Sequence, residues 1–278
     1  MNNYYGNVVL VTGASSGMGK AIALKLASNG YRVYGTSRKA QEESTDSIFS
    51  NSGEGFIHMV QLDVCSEYSA KGAIDYVFQK EGRIDILINN AGFGIAGSVE
   101  DTNIEEAYSQ FNTNFFGMLR MSRNVLPIMR AQKKGLIINI SSVAGLIAIP
   151  FQSMYSASKY AIESVTEAMR IEVKPFGIKV AMIEPGDVRT GFTDKRQYAS
   201  QSNTNAAYKE KFTKSINEMI KSEQNGPTPE LIVKAVTRII GSKNPPIRIT
   251  PGFTYKVIVL LKRALPSRLV EYIVAKGY

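Results

Sequence analysis

NVVLVTGASSGMG, residues 7–19, decides the fold. Its first half is a short β-branched run that closes on glycine, the pattern of a buried strand. Residues 17–29 follow with Ile22, Leu24 and Leu26 set among alanines. That spacing predicts a helix ending at Gly30. A buried strand therefore runs through a glycine-rich loop straight into a helix.

The same alternation continues along the chain. RVYGTSR (32–38), GFIHMVQLDV (55–64), RIDILINNAG (83–92), GLIINISS (135–142), GIKVAMIEPG (177–186) and PPIRIT (245–250) read as further strands. Helical stretches cover 66–81, 103–134 and 154–174, and Pro127 is expected to mark a kink or a join in the second. Most of the strands are continuously apolar, so both faces of the sheet are covered and the pairing is parallel. Right-handed crossovers then give an α/β, doubly wound, seven-stranded parallel sheet over residues 1–250. Residues 187–228 break the rhythm with a polar insertion, expected to be a lid or binding loop. Residues 251–278 form a helical extension.

Ligands of such sheets bind beyond the carboxyl ends of the strands, so the strand ends carry the functional reading. The glycines at 13, 17 and 19 depart from the GxGxxG spacing, yet the physical logic carries over. Gly13 permits a tight turn, Gly17 close approach of a pyrophosphate, and Gly19 close packing of helix on strand. The helix N-terminus then offers free N–H groups to phosphate. After the second strand no Asp or Glu occurs from Tyr31 to Gln41, whereas Arg38 and Lys39 do. An arginine fork suits a ribose 2′-phosphate, which predicts NADP(H) over NAD(H). Asp63 is either an acceptor for an adenine amino group or a helix N-terminal acid.

Composition narrows the classes. The chain has 278 residues, 44% of them hydrophobic and 21% charged, which is ordinary globular usage. One cysteine, Cys65, excludes an internal disulfide framework and reads as a small packed side chain. The only histidine, His58, lies inside a strand and reads as structural, and no metal-ligand spacing appears. The net charge of +9 comes without a nucleic-acid-binding signature. No secretory signal or membrane-spanning stretch is visible, so the expected location is cytoplasmic.

MYSASKYA, residues 154–161, sets Tyr155 and Lys159 four apart on one helix face. Free tyrosine and lysine titrate near ~10 and ~10.4, so neither suits proton transfer without help. Help is implied by what the pieces resemble together. TGASSGMG (12–19), NNAG (89–92), NFFG (114–117), the serines 141–142, YSASK (155–159) and PGDVRT (185–190) resemble the short-chain dehydrogenase/reductase family in order and spacing. The resemblance implies a Rossmann fold and an oxidoreductase that interconverts an alcohol and a ketone or aldehyde by hydride transfer. It implies a tetrad. Tyr155 exchanges the proton, and Lys159 holds the nicotinamide ribose and lowers the Tyr155 pKa. Ser142 binds the substrate oxygen, and Asn114 helps hold a water that links Lys159 to solvent. It implies cofactor contacts at Gly13, Ser15, Ser16, Gly17, Met18, Gly19, Asp63, Val64, Asn90, Val188 and Thr190, with Arg38 at the basic position of NADP-using members. It also implies a homodimer or homotetramer.

Phe93, Leu146, Ile149, Phe151 and Phe192 follow strand ends and are expected to line an apolar pocket for a bulky hydrophobic alcohol or carbonyl compound. In this the chain is similar to hydroxysteroid and retinol dehydrogenases. The rival enzymatic reading is a 3-ketoacyl-carrier-protein reductase, with Arg130, Lys133 and Lys134 facing the acidic carrier. A rival of another class is a silent NADP(H)-sensing or interaction protein. The tail carries apolar residues at helical spacing beside Lys256, Lys262, Arg263, Arg268 and Lys276. It reads either as an interfacial segment on an anionic bilayer or as helices packed on the core or a partner subunit.

Overall fold

The computed structural model describes residues 4–39, 45–50 and 53–277. In chain order the elements begin β1 (Val8–Val11), α1 (Gly17–Ser28), β2 (Arg32–Ser37), β3 (Thr45–Ser50), β4 (Gly53–Gln61), α2 (Glu67–Glu81), β5 (Ile86–Asn89) and β6 (Ile95–Ala96). Next come α3 (Ile104–Phe111), a π-helical turn (Asn112–Phe116), α4 (Gly117–Ala131), β7 (Gly135–Ile140), a 3₁₀ turn (Val143–Gly145), α5 (Ser153–Glu172) and β8 (Ile178–Ile183). The chain closes with β9 (Gln197–Tyr198), α6 (Lys209–Gln224), α7 (Glu230–Ile240), β10 (Arg248–Ile249), α8 (Phe253–Ala264) and α9 (Ser267–Gly277).

The main sheet runs β10-β8-β7-β5-β1-β2-β4-β3. Its seven parallel strands are those the sequence predicts. The eighth, β3, was not expected and pairs antiparallel with β4 at the edge. From β1 the chain winds one way through β2 and β4, then returns to β5 and winds the other way through β7, β8 and β10. The strand order therefore reverses between β1 and β5, and a crevice opens at their carboxyl ends.

Alternation along a strand builds two cores. Val9 and Val11 of β1 face one layer with Ile22 and Leu26 of α1 and Ile232, Val236 and Ile239 of α7. Val8 and Leu10 face the other with Ile74 and Val77 of α2, Met121, Val125 and Met129 of α4, and Met169 of α5. Every one of these side chains is buried, at roughly 25 cal/mol for each Å² of apolar surface removed from water.

The break in the long helical stretch falls at the π-turn. Helix α4 contains Pro127 in its interior, so the proline does not end it. Where the sequence suggested a polar insertion, β9 pairs with β6 and α6 buries Phe212, Ile216 and Met219 in a small third cluster. His58 meets the Tyr76 hydroxyl at 2.9 Å and stacks on its ring, a structural setting inside the sheet layer. No helix among the described residues is long and apolar enough to cross a membrane.

Candidate active site

The glycine loop is tied to both neighbouring strands. Ala14 N donates to Thr36 O of β2 at 2.9 Å. Thr12 Oγ1 accepts the N–H groups of Asn90 and Ala91, each at 2.9 Å. Asn90 returns its side-chain amide to the carbonyls of Thr12 and Gly13, so this side chain clamps the loop itself. Gly13 and Gly17 have φ of +68° and +56°, values that favour glycine. A β-carbon at Gly19 would lie 2.3 Å from the Gly13 carbonyl oxygen, which is why the helix can start so near the strand.

The loop fits a dinucleotide phosphate. Ser16 caps α1 without a side-chain capping bond, and the first turn carries no acid. Its N–H groups are therefore left for an anion. Lys195, from the segment after β8, donates to Ser16 Oγ at 2.8 Å and adds a cation there. The sequence reading missed this lysine, since nothing in TDKR says what it reaches. Ser15, Ser16, Arg38 and Asp63 are exposed at the same edge. Asp63 Oδ1 accepts from Cys65 N at 2.9 Å. The Val64 side chain instead packs against Gly117 in the core.

Beyond the loop lies a cavity of about 350 Å³ at the carboxyl ends of β5, β7 and β8. Met18, Asn90, Ser142, Tyr155, Lys159, Val188 and Thr190 all line it. Ser142 caps the 3₁₀ turn after β7, accepting from Ala144 N at 3.1 Å and donating to Pro185 O at 3.3 Å, and its hydroxyl lies close enough to Tyr155 to favour the phenolate. One turn of α5 beyond Tyr155, Lys159 is 6% exposed. It donates to Ile140 O at 2.9 Å, with Nζ 5.6 Å from the Tyr155 ring centroid.

Asn114 sits in the π-turn, whose wider winding is common at functional positions. Its Oδ1 accepts from Phe93 N and its Nδ2 donates to Phe93 O, both at 3.0 Å. Nδ2 also donates to Ser158 Oγ at 3.2 Å, and Ser158 donates to Tyr155 O at 2.7 Å. Asn114 thus joins the loop after β5 to the backbone that carries Tyr155.

Burial dominates the electrostatics. It pushes the Tyr155 hydroxyl up to about 12; the nearby Ser142 hydroxyl and the Arg196 charge pull down, and Glu223 and Asp187 push up. The expected lowering of Tyr155 is therefore reversed in the protein by itself, because desolvation of the phenolate outweighs its favourable neighbours. Burial also brings Lys159 down to about 8, opposed by the Glu163 carboxylate one turn on. At neutral pH the pair is a phenol beside an ammonium, a proton donor beside a cation.

The pocket wall differs from the expected one. Ile149 and Phe192 line the cavity, with the Phe192 ring 5.8 Å from that of Tyr155. Phe93 contributes its backbone to Asn114 instead. The Leu146 carbonyl accepts from the Tyr160 hydroxyl. Phe151, at φ +59°, turns its ring away to meet Phe212 at 5.6 Å. Their places are taken by Ile147, Gln152, Met219, Tyr255, Ile258, Ile273 and Val274. Four of these belong to α8 and α9. Tyr255 donates to Asp187 Oδ2 at 2.7 Å, and Val259 is buried, so the tail packs on the core and closes the cavity.

A family model for short chain dehydrogenases matches residues 7–201. A 3-ketodihydrosphingosine reductase of Bacteroides thetaiotaomicron is 42% identical over 266 residues, covering 95% of each chain. Retinol dehydrogenase 8 of Bos taurus is 32% identical over 273 residues, covering 93% of this chain and 86% of its own. The crystal structure of a short-chain dehydrogenase from Streptomyces avermitilis resembles this one with a TM-score of 0.79. It has 30% identity and 98% of each chain is covered.

Proposed function

The chain belongs to the short-chain dehydrogenase/reductase family, and we propose that it uses NADPH to reduce the ketone of a long-chain hydrophobic substrate. The family acts on carbonyl and alcohol groups with a nicotinamide cofactor, which supplies the hydride. The observation that carries the reading is that Tyr155, Ser142 and Lys159 meet on the wall of one largely apolar cavity, where burial keeps the Tyr155 hydroxyl above its ordinary value. Ser142 and Tyr155 hold the carbonyl oxygen. As the carbon takes a hydride, Tyr155 gives its proton to that oxygen and Lys159 steadies the phenolate that remains. Lys159 and Asn90 would flank the nicotinamide end of a bound cofactor, and the α1 N-terminus with Lys195 would hold its pyrophosphate.

Arg38 supports the preference for NADP(H), since among the described residues the end of β2 offers a guanidinium and no carboxylate. A relative at 42% identity that is named for a keto sphingoid base supports a long alkyl chain over a retinoid or steroid. Exposed Phe253, Leu260, Leu261 and Tyr272 beside Lys256, Lys262, Arg263 and Lys276 support contact of the tail with an anionic bilayer, where such a substrate resides. Exposed Tyr108, Phe116 and Ile171 on the α3–α5 helices support a homodimer or homotetramer.

The test is NADPH consumption with a 3-keto sphingoid base, retinal, a ketosteroid and a ketoacyl thioester. The highest kcat/KM is expected for the sphingoid base, with NADH a poorer donor throughout. Selective turnover of the thioester would replace this reading with a carrier-protein reductase. Binding of NADPH without turnover of any carbonyl would replace it with a sensing protein.

A further inference from the structure

Helix α5 carries Tyr155, Lys159, Glu163 and Glu167 at a constant spacing of four residues. Residues four apart are neighbours on a helix surface, so these ionisable side chains form one ridge. The ridge starts in the cavity, which Tyr155 and Lys159 line. It ends at Glu167, whose side chain is 51% exposed. Glu163 lies between them with a side chain only 7% exposed. Burying a carboxyl is costly, and the steps at Tyr155 and Lys159 do not use this one.

Arg248 of β10 pairs closely with Glu167 and, at 2.9 Å, with Glu184 after β8. It meets Glu163 Oε2 only at 3.4 Å. Glu163 Oε1 and Ser141 Oγ have no hydrogen-bond partner among the described residues. Both groups lie beside Gly145. A β-carbon there would be 2.9 Å from Ser141 Oγ, 3.0 Å from Lys159 O and 3.1 Å from Glu163 Cγ. The glycine therefore lets the Glu163 side chain lie against the turn that carries Lys159. The groups that face Glu163 are Lys159 and Glu167 from α5, Ser141 after β7, Glu184 after β8 and Arg248 from β10. Burial pushes Glu163 up to about 7, with Ser141 and Arg248 pulling down and Glu184 pushing up. Lys159 stands at about 8 and Tyr155 at about 12. Proton affinity thus rises step by step along the ridge from Glu163 to the cavity.

We propose that Glu163 returns to the site, through Lys159, the proton that Tyr155 gives to the substrate. This rests on the reading of the protein as a ketone reductase and adds the supply of its proton. The Tyr155 O–H bond breaks as the O–H bond of the product alcohol forms. An N–H proton of the Lys159 ammonium then passes to the phenolate. Lys159, now a neutral amine, takes the proton of the Glu163 carboxyl. Water at the Glu167 end of the ridge protonates the Glu163 carboxylate, so each turnover consumes one solvent proton. Glu163 does not line the cavity and acts through Lys159.

The test separates the first turnover, which spends the proton Tyr155 already holds, from those that follow. With NADPH and a long-chain ketone at pH 7, Glu163→Gln is expected to keep the burst of the first turnover. Its steady-state rate should fall roughly tenfold. Glu163→Asp sets the carboxyl one methylene farther from Lys159, so its steady-state rate should lie between the two. It decides the matter if Glu163→Gln does not fold. A steady-state rate equal to that of wild-type protein overturns the route. A burst that slows together with the steady state overturns it as well, since that marks a structural role. Independently of turnover, the Lys159 ammonium, followed by its nitrogen magnetic resonance, should lose its proton at lower pH in both variants. An unmoved titration overturns the coupling of the pair. No burst with any carbonyl in wild-type protein removes the reductase reading, and the titration alone then upholds or overturns the coupling.

Discussion

The ring of Tyr255 rests on the backbone of Gly186: a β-carbon at Gly186 would lie 2.3 Å from it. This contact seats the C-terminal helices over the cavity, because the same tyrosine donates to Asp187. Gly186→Ala is therefore expected to lift α8 while leaving the sheet intact. The overpacking should cost about 1–3 kcal/mol locally. Faster tryptic cleavage at Lys256, Lys262 or Arg263 and a higher KM for a long-chain ketone are the readouts. An unchanged cleavage pattern would show that the tail is held elsewhere.

Tyr155→Phe removes the proton donor and keeps the ring. Turnover is expected to fall by about 10²–10⁴, the usual worth of general acid catalysis. NADPH binding, followed by its fluorescence, should be little changed. Near-normal turnover in this variant would reject Tyr155 as the acid.

Lys159 carries a penalty that depends on pH. Its folded value of about 8 lies below the ordinary 10.5. Below pH 8 both folded and unfolded chains hold the proton, and the folded one bears the full cost of burying it. Between pH 8 and 10.5 the folded chain sheds the proton first, so wild-type stability recovers as pH rises. Lys159→Met should thus be the more stable protein at pH 7, by on the order of 2–3 kcal/mol. Its advantage should shrink towards pH 10.5. Thermal unfolding of both proteins across that range checks the sign; an advantage that grew with pH would contradict it.

Arg38 is exposed beside the glycine loop, where a 2′-phosphate would lie. Arg38→Glu is expected to cut the ratio of kcat/KM for NADPH over NADH by roughly 10–100-fold, since a charge-assisted fork is replaced by a repelling carboxylate. The ratio staying near its wild-type value would place cofactor selectivity in other residues.

The strand ends were legible because a parallel strand covered on both faces leaves a continuous apolar run, and because a loop that nears phosphate needs glycine. Tyr155, Ser142 and Lys159 were legible as a set through the resemblance of YSASK and the serines before it to the short-chain dehydrogenase/reductase family, since a helical Tyr–Lys pair alone reads as an exposed face. The pocket wall was not. Phe151 lies four residues before Tyr155, yet a left-handed backbone turns it towards Phe212. Ile273 and Val274, more than a hundred residues away, reach the cavity because Gly186 leaves room for Tyr255. β3 escaped notice because TDSIFS is a short edge segment without a buried-strand pattern.

The π-turn at Asn112–Phe116 has a consequence for insertions and deletions. Gly117 N donates to Asn112 O across five residues, so this stretch holds one residue more than an α-helical turn would. Removing one residue within the turn would let the winding relax to α with α3 and α4 still in phase, so Met121, Val125 and Met129 would keep their places in the core. The loss would fall on Asn114 and its bonds to Phe93 and Ser158. The long helix tolerates substitution at many surface positions, but its residue count is fixed by the site it serves.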